Sequence, residues 1–329
     1  MRGRFGALLA ACGLTLGLAA CGGTATPAAD PPAGAGGIAS APATASSGLP
    51  APAGPATTAA PSISAPSISA PSISVPSLSI PPLPTFKARG PVVGGDASWP
   101  QCPKGMGIAQ KRSEGAPMPL DSAQFVVLGL TNGPGFVANP CLVDQLAWAR
   151  QRHLLVSAYS VISGPYGDVL ARYGGSGPYD KDSASGRLAN LGYQEALFNV
   201  ATMRSSGLQT PFVWLDVEPV NGFEWSNDTA ANAAVIQGAA RGYKDQGYDV
   251  GVYSIGSLWH RVVGDLRLGL PEWRPAGSRG RAEALRRCQG DWMFQGGAAV
   301  LGQWVEQGRD RDITCPEQSA YLSLWFHQY

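Results

Sequence analysis

The stretch Phe212-Val-Trp-Leu-Asp216-Val-Glu218-Pro219 places two carboxylates two residues apart at the end of an apolar run. Along a β-strand, residues i and i+2 point to one face. Asp216 and Glu218 therefore project together, with Trp214 one step beneath them. The run stops at Glu218-Pro219, so both acids stand at its C-terminal end, which in a parallel barrel is where active sites assemble. Two like charges this close raise the proton affinity of one of them, leaving a protonated acid beside an ionised partner. Glycoside hydrolysis uses such a pair. A lone D-x-E is also what a solvated strand end looks like, so the reading needs further acids.

Asp96 closes an early strand-like run just before Trp99, and Asp310 and Asp312 follow the last such run in Gly308-Arg-Asp-Arg-Asp-Ile-Thr-Cys315. In a closed barrel the first and last strands are neighbours, so these aspartates are expected to ring one mouth with Asp216 and Glu218. Aromatic residues near strand ends, Trp99, Tyr159, Trp225, Tyr253, Trp273 and Trp304, are candidates for sugar-ring platforms. Signatures of other chemistries are missing. Gly174-Gly-Ser-Gly177 follows no strand and fits no phosphate loop, and there is no G-x-S-x-G. Three histidines, His153, His260 and His327, are too few for a His-rich metal site. Neither a metal nor a cofactor is expected.

The elements that must position these acids alternate. Strand-like runs cover 91–96, 124–131, 154–161, 211–218, 249–254 and 298–304. Helical patterns lie between several of them. One opens at Asn139-Pro140, a capping residue before a proline at the first helical position, and runs to about Arg152. Others cover 187–206 and 228–246, each stopped by a glycine, Gly207 and Gly247. Shorter helices fit 257–265 and 281–287, and 163–185 reads as a long glycine-rich loop. The β-α order with continuous apolar strands implies a parallel sheet covered by helices. Residues 85–329 are close in length to the roughly 250 residues of a (β/α)8 barrel. The expected fold is α/β, an irregular TIM-like barrel whose last third is rich in strands.

The rest of the 329-residue chain is an address and a tether. Arg2 and Arg4 precede a short apolar stretch that ends in Leu18-Ala-Ala-Cys21-Gly22, so residues 1–21 read as a secretory signal. The ending resembles a bacterial lipobox, in which Cys21 is lipidated and anchors the chain to the extracytoplasmic face of the membrane. Residues 22–84 hold 14 of the 28 prolines, no aromatic residue and one charge, Asp30. From Pro61 they repeat Pro-Ser-Ile-Ser-Ala and its variants every five residues, a spacing that forbids helix. This is an unfolded tether of at most about 200 Å, at ~3.1 Å per residue, enough to reach into a cell wall. Residues 85–329 carry 22 basic and 22 acidic groups. That balance argues against a nucleic-acid partner, which needs a cationic face. No stripe of side chains suggests an oligomer, so a monomer is expected. Four cysteines remain in the exported part, Cys102, Cys141, Cys288 and Cys315, and an even number outside the cell suggests two disulfides. Of three pairings, 102–141 and 288–315 join segments that neighbour each other in a barrel.

The ordered set Gly95-Asp96-Ala-Ser-Trp-Pro-Gln-Cys102, Phe125–Thr131 with Asn139-Pro-Cys-Leu142, Ala158-Tyr159, Trp214-Leu-Asp-Val-Glu218, Gly251-Val-Tyr-Ser254, Gln303-Trp304 and Asp310-Arg-Asp312 resembles glycoside hydrolase family 25, the muramidase barrels, and related actinobacterial glycoside-hydrolase-like exported proteins. The resemblance implies cleavage of the β-1,4 bond between N-acetylmuramic acid and N-acetylglucosamine in peptidoglycan. It makes Glu218 the proton donor and Asp216 the group that positions or stabilises the reacting sugar. Asp96 and one of Asp310 or Asp312 complete an acidic floor. A non-catalytic cell-wall glycan binder on the same barrel is the alternative.

Overall fold

The computed structural model describes residues 90–329 apart from 134, 163, 165–166 and 221–222. The signal segment, Cys21 and the tether lie outside the described residues. Eight strands close a barrel: β1 (Val93–Ala97), β2 (Phe125–Gly129), β3 (Leu155–Val161), β4 (Phe212–Asp216), β5 (Asp249–Tyr253), β6 (Glu272–Pro275), β7 (Ala299–Glu306) and β8 (Arg309–Thr314). Strands β1 to β7 run parallel in sequence order. β8 returns antiparallel to β7 and closes the ring against β1. A two-residue β9 (His327–Gln328) pairs with Leu155 and Val156, on the flank of β3 that β4 meets only from Ala158 onward.

Around the barrel lie α1 (Leu142–Gln151), α2 (Gly167–Tyr173), α3 (Ala184–Ser206), α4 (Thr229–Asp245), α5 (Gly256–Val263), α6 (Gly280–Arg286) and a last turn, α7 (Leu322–Trp325). Helix α3 starts where the Ser183 hydroxyl accepts the Gly186 N–H and stops at Gly207, whose φ of 73° is the left-handed cap. Asp228 caps α4 by accepting from Ala230 and Ala231. Gly192 and Gly238 let α3 and α4 touch backbone to backbone, since a Cβ on either would collide with a facing carbonyl.

Three elements depart from the sequence reading. Helix α1 begins at Leu142, not at Asn139-Pro140; Asn139 braces the turn before it, its Oδ1 accepting the Cys141 N–H while its amide donates to the Gly129 carbonyl and to Gln145. Helix α2 occupies part of the expected loop. Most consequentially, Asp310 and Asp312 do not trail the last strand; they lie on a strand of their own, β8. The texts Glu-Trp-Arg-Pro of β6 and Arg-Asp-Arg-Asp of β8 hide their strands because charged residues occupy buried positions.

Two apolar layers form. Leu128, Leu146, Val156, Leu191, Val213, Ile236 and Val252 fill the space between strands and helices. Phe125, Phe212, Trp214, Trp273, Leu301 and Phe326 fill the barrel itself. The C-terminal segment seals the lower end, with the Phe326 ring 4.7 Å from Phe125 and Trp325 5.0 Å from Phe212. The disulfides are Cys102–Cys141 and Cys288–Cys315, the pairing expected from barrel neighbours.

Strand β6 is held from outside by a buried ion pair. Glu272 and Arg274 meet at 2.7 Å with side chains 0% and 3% exposed. The Glu272 carboxylate also accepts backbone N–H groups of Gln295 and Gly297, and Arg274 donates to the carbonyls of Arg287 and Gln289. Trp273, between them, points inward. Removing one partner strands a buried charge. Arg274→Met is expected to lower the free energy of unfolding by about 3–5 kcal/mol, measured by urea denaturation; a loss below 1 kcal/mol would show that the pair contributes little.

Candidate active site

Strand register decides which side chains meet. Gly94 pairs with Asp312 and Gly95 with Arg311, so Asp310 falls opposite Asp96. Alternation along β8 then turns Asp310 and Asp312 inward with Asp96, and Arg311 outward, over the Trp304 ring at 5.1 Å. Gln303 pairs with Asp312, Trp273 with Tyr253, and Tyr253 with Asp216. Asp96, Tyr159, Asp216, Glu218, Tyr253, Trp273, Gln303 and Asp310 line one cavity of about 170 Å³ at the C-terminal ends of the parallel strands.

The lining is hydrogen-bonded in sequence. The Tyr253 hydroxyl donates to Gln303 Oε1 at 2.8 Å, and Gln303 Nε2 donates to Asp96 Oδ2 at 2.8 Å. Trp273 Nε1 donates to Asp312 Oδ1 at 2.8 Å. The backbone that carries Glu218 is fixed on both sides. The Ser254 hydroxyl donates to the Val217 carbonyl at 2.7 Å, and the Trp225 indole to the Glu218 carbonyl at 3.1 Å. The Glu218 side chain is left to face the cavity.

No cationic side chain lines this cavity, and every acid in it holds its proton more tightly than in water. Burial is the main cause throughout. It lifts Asp96 to about 8, aided by the charge of Asp310. It lifts Asp216 well above the usual range, aided by Glu218 and Asp96. Glu218, only half-buried, is raised by burial and by Asp310, and Asp310 is raised by burial. Tyr159 and Tyr253 are pushed up in the same way and stay neutral. The arrangement can deliver a proton from a half-exposed carboxylic acid while a second carboxyl, 6% exposed, faces the same space.

Asp96, Asp216, Glu218, Asp310, Tyr159 and Tyr253 thus come together. Asp312 stands behind the cavity wall, fully buried. Trp304 is not a platform. At 1% exposure it faces outward from β7 and packs with Ala276, Ala284 and Ile313, because its neighbour Gln303 takes the inward position. Trp99 does not line the cavity, and Trp225 serves it through the backbone of Glu218. Gln303 is the residue whose role the sequence hides: it appears there only as the first half of Gln303-Trp304. The period-two alternation of β7 is the signal that separates it from its neighbour.

The chain therefore presents an acid-lined mouth at the C-terminal end of a closed (β/α) barrel. A model described as "Lysozyme-like protein 1" matches residues 187–272, which contain most of α3, β4 with Asp216, Glu218, α4 and β5. Counting factor 45-1 of Dictyostelium discoideum is 36% identical over 75 residues, 22% of this chain and 25% of that protein. Probable GH family 25 lysozyme 3 of the same organism is 38% identical over 61 residues, 18% of this chain and 12% of that protein. The matched stretches span a quarter or less of these relatives. A family GH25 lysozyme from Aspergillus fumigatus, of known structure, is 18% identical with a TM-score of 0.45, over 71% of this chain and 99% of that one. The chain resembles the family 25 muramidases.

The buried acids couple folding to pH. Folded Asp96 keeps its proton up to about 8, whereas an unfolded aspartate releases it near 3.8. The stability gained is complete below about pH 4 and is lost as pH rises to about 8. The unfolding free energy is expected to fall across that window, and Asp96→Asn to flatten the fall and be the more stable form at pH 8. Urea unfolding midpoints from pH 4 to 8 test this; parallel slopes for the two proteins would contradict it.

Proposed function

We propose that this protein is a glycoside hydrolase of the cell wall, a muramidase-like enzyme acting on peptidoglycan. The observation that carries the reading is Glu218, a half-buried carboxylic acid with a raised proton affinity. It shares the cavity at the end of β4 with the more deeply buried Asp216. The lysozyme-like segment 187–272, which contains both acids, supports it.

In this reading a sugar enters the mouth with its glycosidic oxygen at Glu218. The Glu218 proton passes to that oxygen as the bond to the anomeric carbon breaks. Positive charge develops on the ring. Either the substrate's own 2-acetamido oxygen or Asp216, once it has released its proton to solvent, closes on the anomeric carbon. Water then attacks that carbon and returns its proton to Glu218, restoring the acid. Asp310, less deeply buried than Asp96, adds negative potential where the sugar becomes cationic, and Tyr159, Tyr253 and Trp273 supply ring faces.

Reducing ends released from purified peptidoglycan measure the activity. Glu218→Gln keeps the shape of the site but has no proton to give, and turnover is expected to fall by about 10²- to 10⁴-fold. Equal turnover by the two proteins rejects Glu218 as the acid. Retention on the wall with no release by the wild type leaves a glycan-binding module.

The chain is further proposed to be a lipoprotein held at the outer face of the membrane through Cys21. Wild-type protein should then incorporate a fatty-acid label and sediment with membranes, and Cys21→Ser should do neither. Identical fractionation of the two would remove the anchor.

A further inference from the structure

The mouth contains one acid more than the cavity uses. Asp312 is fully buried on β8, and one of its oxygens, Oδ1, accepts the Trp273 indole N–H. Its other oxygen, Oδ2, is also sealed from solvent and receives no N–H or other donor. Across the strands Asp312 faces Gly94 of β1, which has no side chain, so the carboxyl of Asp96, two residues on and on the same inward face, is its neighbour. Asp96 is engaged on its far side by Gln303 Nε2 at 2.8 Å. Two carboxylates have only acceptors to offer each other, so a bond between them requires an O–H.

We infer that Asp312 is a neutral carboxylic acid that donates to Asp96, so that the two side chains form one hydrogen-bonded pair. The surroundings agree on every side. Asp216 and Glu218 face the pair from the end of β4, Asp310 from β8, Tyr159 from β3 and Tyr253 from β5. Trp273 and Gln303 approach as N–H donors. No Lys, Arg or His is among these groups, so nothing repays the burial of a second charge. Trp273 holds one oxygen of Asp312, and the acid hydrogen on the other points to Asp96.

Asp312 is then a positioning residue. It acts through Asp96 and holds that carboxyl in one orientation, between its own O–H and the Gln303 amide. The pairing does not depend on the hydrolase reading above; its catalytic consequence does. There, the pair carries at most one negative charge at neutral pH. The floor of the mouth is therefore less anionic than five acids would make it.

The test is a carbon-13 titration of the aspartate side-chain carboxyls in the full chain, assigned with Asp312→Asn. The Asp312 resonance is expected to stay at its protonated position up to pH 8. A midpoint in the range of an exposed aspartate, about 4, overturns the pair. Asp312→Asn keeps a donor toward Asp96 and an acceptor for Trp273. Asp312→Ala keeps neither. The asparagine variant is expected to retain the wild-type melting temperature and the alanine variant to lose it; equal melting of the two overturns the donor role. Peptidoglycan release should drop about ten- to hundredfold in the alanine variant and be largely rescued in the asparagine variant. If the wild type releases nothing, the hydrolase reading fails, while the titration still decides the pairing.

Discussion

The site depends on burying carboxyl groups where nothing positive can neutralise them. A charge taken from water into a packed interior costs several kcal/mol unless it is paired or keeps its proton. This barrel answers in two ways. On the outer face of β6 it pairs Glu272 with Arg274 and surrounds both with backbone partners. Inside the mouth it supplies no cation, and Asp96, Asp216 and Asp312 keep their protons more tightly. The first solution makes a rigid strand. The second makes acids that hold protons near neutral pH, which is the property a general acid needs.

Antiparallel β8 is what gathers these acids. If the ring were closed by a parallel strand reached through a helix, the Arg-Asp-Arg-Asp text would have no reason to lie inside it. The hairpin from β7 brings Asp310 level with Asp96 and sets Asp312 one step deeper. Arg311, between them, is turned outward onto Trp304. One alternation thus separates the cations of this segment from its acids.

Much of this was legible in the residues. The six apolar runs read as strands correspond to β1–β5 and β7, and α3 stops at Gly207 as read, while its start at Ser183 lies four residues before the reading placed it and Asp228, read as the first residue of the next helix, caps α4. The D-x-E pair was visible because alternation is local and the proline after it marks an end. What stayed hidden depends on partners distant in sequence. β6 and β8 look polar until Arg274 meets Glu272 and Asp312 meets Trp273. Trp304 looks like a platform until the register turns Gln303 inward. Composition cannot distinguish a solvated charge from one whose partner arrives from another strand.

Under the proposed function, the plug of Phe326 and Trp325 beneath the barrel also limits how a glycan strand can be handled. With that end stoppered and the interior packed by Phe125, Phe212 and Trp214, the acidic mouth is a cul-de-sac. A long strand cannot thread through it. It has to lie across the opening, with both tails left in solvent.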